Sequence, residues 1–222
     1  MVYLIFDMDG TIIEGDSWHS TNQHFGVENI HIYDYLNGRI DYERYLELVV
    51  EQWTVQDGGK VYYEKLEEAV KDIRPRDGFR ELVEYAGNKG WKKGIISAGI
   101  DSLSSKISQE FKLDFALANG FEWNWSNKKR MLTGRGIPRV ELRSKGAVLE
   151  KVTNGEPCIV IGDTKYDLPM FEKAAIAIAV NPRDKETLEG AGLVVLTRDL
   201  YPIIDYLEKI EEVTLWEKNS EK

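Results

Sequence analysis

Short apolar runs broken by polar tips recur along this chain. The first, Val2 to Phe6, stops abruptly at Asp7-Met8-Asp9-Gly10-Thr11. It is short, β-branched and aromatic, which predicts a buried strand rather than a helix. Trp91 to Ile96 is a second such run and ends in Ser97-Ala98-Gly99; Cys158 to Ile161 is a third and ends in Gly162-Asp163. Ala175 to Val180 and Leu193 to Leu196 read as further strands. Helical spacing fills the gaps. Phe79, Leu82, Val83 and Ala86 form one apolar face, closed by Gly87 and Gly90. Helices are also predicted over Ser102 to Phe111, Ser144 to Val152 and Leu168 to Ala174. Asp199 caps a last one, with Ile203, Leu207, Ile210 and Val213 facing inward. Strands that alternate with helices imply an α/β fold with a Rossmann-like parallel sheet flanked by helices. Strands apolar on both faces fit that sheet.

Two stretches depart from the alternation. Roughly Ser17 to Arg74 reads as helical throughout, and Pro75 ends it. Asp41 caps a helix running from Tyr42 to Trp53, and Gly58-Gly59 breaks the pattern before a second stripe at Tyr62, Leu66, Ala69, Val70 and Ile73. The stretch is too long for one crossover, so it reads as a small helical domain inserted after the first strand. The expected division is a core of residues 1–15 and 75–222 and a helical cap of residues 16–74. The second departure is a hairpin, Phe115 to Trp125 with Met131 to Ile137, around the polar turn Ser126 to Lys129. Phe121, Trp123 and Trp125 alternate with polar residues, which predicts one apolar face.

Composition narrows the partners. The chain has 222 residues, a net charge of −9 and 42% hydrophobic residues, enough for a sizeable core. Mean hydropathy is −0.40 and the isoelectric point about 5.0, so a nucleic-acid partner is not expected. No run approaches the ~18 apolar residues of a membrane helix, and the N-terminus lacks a signal-peptide pattern. A cytoplasmic protein, monomeric or homodimeric, is expected. Cys158 is the single cysteine and reads as a buried small hydrophobe.

The polar tips carry the chemistry. In parallel sheets, ligand sites lie beyond the carboxyl ends of the strands. If the tips at Asp7-x-Asp9, Ser97 and Asp163 are neighbours, they converge on one crevice. Asp167 and Lys145 join them as candidates. Two close carboxylates favour a cation or a shared proton. An oxygen-rich cluster without His or Cys suits a hard cation, and Mg²⁺ fits better than Zn²⁺. His19, His24 and His31 lack metal-ligand spacing and read as surface or packing residues.

Phe6-Asp7-Met8-Asp9-Gly10-Thr11, Ile96-Ser97, Lys145 and Gly162-Asp163-x-x-x-Asp167 resemble, in order, the four motifs of the haloacid dehalogenase superfamily. Within it the chain is similar to the phosphoserine phosphatase branch, with its small inserted cap and extra hairpin. The resemblance implies that Asp7 is a nucleophile and Asp9 a general acid and base. It implies a Mg²⁺ site made by the Asp7 side chain, the Asp9 main-chain carbonyl and Asp163. It assigns the phosphoryl oxygens to Thr11, Ser97 and the backbone at Ala98 and Gly99, with Lys145 neutralising charge and Asp167 orienting Lys145 or metal-bound water. Asp16 matches the acidic residue that meets the substrate ammonium in that branch, which has Glu there. Ser97-Ala98-Gly99 stands where the branch has Ser-Gly-Gly. Its cap arginine has no clear counterpart; Arg39 and Arg44 are the candidates in the stretch. Trp53, Tyr45 and Tyr62 read as cap core.

The implied function is a Mg²⁺-dependent phosphatase acting on a small phosphorylated metabolite, phosphoserine or another phosphomonoester. One alternative is a phosphotransferase or mutase that passes the phosphoryl group to a hydroxyl acceptor. Another is a receiver-like signalling domain. Asp9 disfavours the latter, which has no need of an acid two residues beyond its acceptor.

Overall fold

Leu4 and Phe6 turn to one face of the first strand and Ile5 to the other, each into a separate buried cluster. That two-sided burial holds the strand at the centre of the molecule. The computed structural model describes residues 1–220, with side chains described to Ile210. Along the chain, β1 (Tyr3–Phe6) is followed by α1 (Ser17–Phe25), α2 (Ile32–Leu36), α3 (Tyr42–Gln56) and α4 (Tyr63–Val70). Next come α5 (Phe79–Asn88), β2 (Lys92–Ile100), α6 (Asp101–Phe111), β3 (Phe115–Ser126) and β4 (Lys129–Ile137). The chain then forms α7 (Lys145–Thr153), β5 (Cys158–Gly162), a 3₁₀ turn (Lys165–Asp167) and α8 (Leu168–Phe171). It closes with β6 (Ile176–Val180), α9 (Lys185–Gly190), β7 (Leu193–Val195) and α10 (Tyr201–Ser220).

One seven-stranded sheet has the order β4-β3-β2-β1-β5-β6-β7. All neighbours run parallel except β3 and β4, which are antiparallel. The expected α/β fold with a parallel sheet is therefore present. Helices α5, α6 and α10 cover one face, through Phe79, Leu82, Leu103, Ile107, Ile203 and Leu207. Helices α7 and α8 cover the other through Leu149, Met170 and Phe171. Cys158 is buried there, as expected of a small hydrophobe.

The register of the sheet positions the site. Phe6 pairs with Ile95 of β2 on one side and Ile161 of β5 on the other. The chain leaves β1 and β5 at nearly one level, beside the middle of β2, and the Asp7 N–H donates to the Ile161 carbonyl at 2.8 Å. Asp7 thus emerges between Ser97 and Asp163. Leaving β1, the chain turns back at Gly10, whose φ of +81° favours glycine. A Cβ there would run into the Asp163 carboxylate.

The inserted helices pack on the hairpin. Trp18, Tyr45, Leu46, Val49 and Trp53 share one buried cluster with Phe121 of β3 and Leu132 of β4. Trp53 stacks on Phe25 at 5.1 Å, meets Phe121 edge-on at 5.2 Å and donates its indole N–H to Asn22 at 2.7 Å. The Leu132 N–H donates to the Val61 carbonyl at 2.9 Å, which ties the hairpin to the segment before α4. The hairpin apolar face is thus the floor on which the insertion stands.

Several local expectations are corrected. Strand β2 does not stop at Ile96 but runs through Ser97-Ala98-Gly99 to Ile100, with a register shift against β3. The hairpin turn is Asn127-Lys128, both at positive φ, the two-residue form that matches strand twist. Trp125 lies beyond the insertion and is 75% exposed, so the apolar face ends at Trp123. Leu168 to Ala174 is helical only to Phe171, after the 3₁₀ turn. Helix α9, capped by Asp184, has too short an apolar pattern to stand out in the sequence. Leu196 falls outside β7 and is exposed. Val213 lies outside the described side chains.

Candidate active site

The apolar run of β1 ends at Asp7, whose carboxylate meets Lys145, while Met8 after it turns back into the core. Asp7 is 4% exposed and Lys145, the first residue of α7, 2%. Lys145 Nζ stands 3.0 Å from Asp7 Oδ1 and 2.7 Å from Asp167 Oδ1. A lysine is poorly placed in the first turn of a helix, and two carboxylates outweigh that misfit. Burial works against the charge on Lys145, but Asp167 and Asp7 override it and raise its pKa above that of a free lysine.

Asp167 is fully spoken for. Its Oδ2 accepts from the Asp163 and Thr164 N–H groups at 3.0 Å each, and its Oδ1 from Lys145. It thereby belongs to the capping box of the 3₁₀ turn and makes no cap bond to helix α8. Asp163 is 1% exposed. Its Oδ1 accepts from the Thr11 hydroxyl at 3.4 Å, and its Oδ2 faces Arg183 Nε at 2.8 Å. Burial, then Asp7 and Asp167, raise the Asp163 carboxyl to about 8 against the pull of Arg183 and Lys145. Burial likewise lifts Asp7 to about 6, although Lys145 pulls the other way.

Asp9 sits apart from this cluster. Its two oxygens accept from the Ser17 N–H at 2.9 Å and the Ser17 hydroxyl at 2.8 Å. Burial, the Asp16 charge and the Asp7 charge raise its pKa well above the usual range, against the Ser17 bonds. A carboxyl so placed holds its proton more tightly than a free aspartate. Asp16 accepts from the His19 N–H at 2.7 Å and so caps α1.

The tip of β2 is pinned from three sides. The Ala98 carbonyl accepts from Trp18 Nε1 at 2.9 Å, Asn119 Nδ2 at 2.9 Å and the Tyr42 hydroxyl at 3.2 Å. The Ser97 hydroxyl accepts from the Gly99 N–H at 3.1 Å. Asp7, Asp9, Ser97, Ala98, Gly99 and Lys145 all line one cavity of about 280 Å³. Asp16 reaches its rim from the insertion. Thr11, Asp163 and Asp167 are buried behind it and do not line it. Arg39 and Arg44 turn outward to Asp34 and Glu47 and take no part.

The cluster suits a hard cation. Oxygens of Asp7, Asp163 and Asp167 lie within 4.8 Å of one another. Asp7 Oδ1 and Asp163 Oδ2 are buried with no hydrogen bond, although Lys145 and Arg183 stand in ion-pair range. Carboxylate oxygens grouped in this way fit the all-oxygen donor set of Mg²⁺. Asp167, with its oxygens already accepting, fits the supporting role.

Three functional neighbours escaped the sequence reading. Ser17 grips Asp9 from the first turn of α1. Arg183 follows the tip of β6 in Asn181-Pro182-Arg183, where the strand-end rule would have pointed. Arg76 is held by the chain beyond Pro75; it donates to the Gly10 carbonyl at 3.0 Å and the Thr11 carbonyl at 3.1 Å. Nothing in the local pattern marks it.

The family profile of the haloacid dehalogenase-like hydrolases matches residues 4–172. The phosphoserine phosphatase of Methanocaldococcus jannaschii is 29% identical over 216 residues, 92% of this chain and 97% of its own. That of Archaeoglobus fulgidus is 27% identical over 85% of this chain and 55% of its own. A solved phospho-aspartyl intermediate analogue of phosphoserine phosphatase superposes with a TM-score of 0.72 at 28% identity, covering 92% of this chain and 97% of that one. A substrate-bound phosphoserine phosphatase gives 0.73 at 27% identity, with the same coverage. The chain belongs to the haloacid dehalogenase-like hydrolases and is a phosphoric monoester hydrolase.

Proposed function

We propose that the protein is a Mg²⁺-dependent phosphatase that hydrolyses a small phosphomonoester through phosphorylated Asp7. The reading is carried by the convergence of Asp7, Asp9 and Lys145 on one cavity, with Asp163 and Asp167 directly behind. An Asp7 oxygen attacks phosphorus, and the bond from phosphorus to the ester oxygen breaks. Asp9 gives its proton to the departing alkoxide, a task suited to a carboxyl whose pKa is raised. Water then attacks the aspartyl-phosphate, Asp9 takes a proton from it, and inorganic phosphate leaves with Asp7 restored. Lys145 neutralises charge on the transferring group, with Asp167 keeping it aimed. Ser97 and the backbone at Ala98 and Gly99 hold phosphoryl oxygens, and Thr11 steadies Asp163. Asp7, the Asp9 carbonyl and Asp163 would hold the Mg²⁺. Its charge would screen the attacking carboxylate from the phosphoryl group.

Residues 16–74 act in this scheme as a cap over a core of residues 1–15 and 75–222. Nothing in the geometry calls for an acceptor other than water, and Asp9 gives hydrolysis its base. The test uses phenyl phosphate. Wild type should turn it over with Mg²⁺ and not after chelation, and acid quenching should trap phosphate on the peptide bearing Asp7. Asp7→Asn should abolish turnover; substantial residual activity refutes the assignment.

A further inference from the structure

The walls of the cavity say what the leaving group is, given the phosphatase reading above. Three aromatic rings close it on the cap side: Trp18, Tyr42 and Tyr45. Their polar ends are engaged elsewhere. Trp18 and Tyr42 donate to the Ala98 carbonyl, and the Tyr45 hydroxyl donates to Asn29 Oδ1 at 3.1 Å. The rings therefore offer carbon and π surface. Ile32, Leu36 and Leu142 add aliphatic wall. Asp16 brings one carboxylate to the rim of this surround, with one oxygen accepting from the His19 N–H.

Among the described residues lining the cavity, the cations are Lys145 and Arg183. Lys145 is bound between Asp7 and Asp167, and Arg183 lies on Asp163. Both stand on the phosphoryl side. Arg39 and Arg44 point away into surface ion pairs. A carboxylate on the leaving group would find Asp16, ring carbon and the neutral polar groups of Asn29, Thr164 and Tyr166, with both lining cations already paired, and an unpaired buried charge is strongly disfavoured. An ammonium there meets both an anion and ring faces, which attract cations. The volume of about 280 Å³ keeps the group small.

We infer that the preferred substrate is the phosphate ester of a small amino alcohol that carries no carboxylate. The inference rests on the phosphatase reading, and three probes separate the two. Phenyl phosphate has neither charge on its leaving group, O-phosphoethanolamine has the ammonium, and O-phosphoserine has the ammonium and the carboxylate. The kcat/KM for O-phosphoethanolamine should exceed that for O-phosphoserine by about ten-fold or more. Asp16→Asn keeps a capping side chain on α1. It should lower kcat/KM for O-phosphoethanolamine about ten-fold relative to phenyl phosphate.

Equal or better turnover of O-phosphoserine overturns the inference and leaves the phosphatase reading intact. In that case Arg183 has left Asp163 to meet the carboxylate, and Arg183→Met would remove the preference. Turnover of phenyl phosphate alone, or an Asp16→Asn variant with unchanged relative rates, also overturns it. No turnover of any probe with Mg²⁺ overturns both.

Discussion

Gly99 lies so close to Asp9 that a Cβ on it would stand 2.5 Å from Asp9 Oδ2. The same Cβ would press on Met8 and on the Ser17 hydroxyl. The backbone of β2 thus forms one wall of the slot that holds the proposed acid, with Ser17 as the other. Gly99→Ala is expected to displace the Asp9 carboxyl and lower kcat on phenyl phosphate by about 10²-fold, as misplacement on the ångström scale does. Steady-state kinetics check this, with thermal unfolding to show that the fold survives.

Asp9 itself has a separable role. Asp9→Asn keeps the shape and an oxygen to accept from the Ser17 N–H but cannot carry the proton. Both half-reactions should slow, with kcat falling about 10²–10⁴-fold. Mg²⁺ affinity by calorimetry should hardly change, because the ligand proposed there is the main-chain carbonyl. A large loss of metal affinity would contradict the assignment.

Lys145 supports the fold as well as the chemistry. Lys145→Met removes the cation shared by Asp7 and Asp167 and leaves two buried carboxylates facing each other. Breaking a buried ion pair on one side costs about 3–5 kcal/mol. Urea unfolding in the presence of a chelator should show a loss on that scale, together with loss of turnover.

The acidic cluster should make stability depend on pH in a definite direction. A carboxyl whose folded pKa lies above its unfolded value binds its proton more tightly when folded. Its contribution is complete at low pH and fades as pH rises through the folded pKa. With Asp163 at about 8 and Asp7 at about 6, the metal-free protein should gain stability as pH falls below about 8 through Asp163, and below about 6 through Asp7 as well. Lys145 does not titrate in that window, since its pKa is raised further. Thermal unfolding with a chelator measures the slope. Asp163→Asn should flatten it, and saturating Mg²⁺ should flatten it too, because the ion and the proton compete for the same oxygens.

Trp53 joins the insertion to the hairpin. Trp53→Ala should cost about 3–5 kcal/mol, the usual range for deleting a buried Trp. Amide exchange at Leu132, bonded to Val61, should accelerate with that in α3. Protection of Leu132 in this variant would mean that insertion and hairpin do not share one core.

Much of the architecture is local and can be read directly. A run such as Val2 to Phe6 has no polar position to show to water, so burial on both faces follows. The polar tips Asp7-x-Asp9, Ser97 and Asp163 follow from where such runs stop. The polar turn around Asn127-Lys128 and the cap at Asp41 act through bonds a few residues long.

What the periodicity leaves out is contact across the fold. That Ser17 holds Asp9, that Arg76 ties down the turn after β1 and that Arg183 meets Asp163 depends on strand order and crossover paths. The rings of Trp18, Tyr42 and Tyr45 belong to an apolar stripe in the sequence, and only packing turns part of that stripe toward the cavity. Trp125 shows the reverse, an apolar position left in solvent because nothing reaches the end of the hairpin. The one-dimensional pattern sets which side chains must avoid water. Which of them meet, and around what, is decided by distances that exist only after the chain has closed on itself.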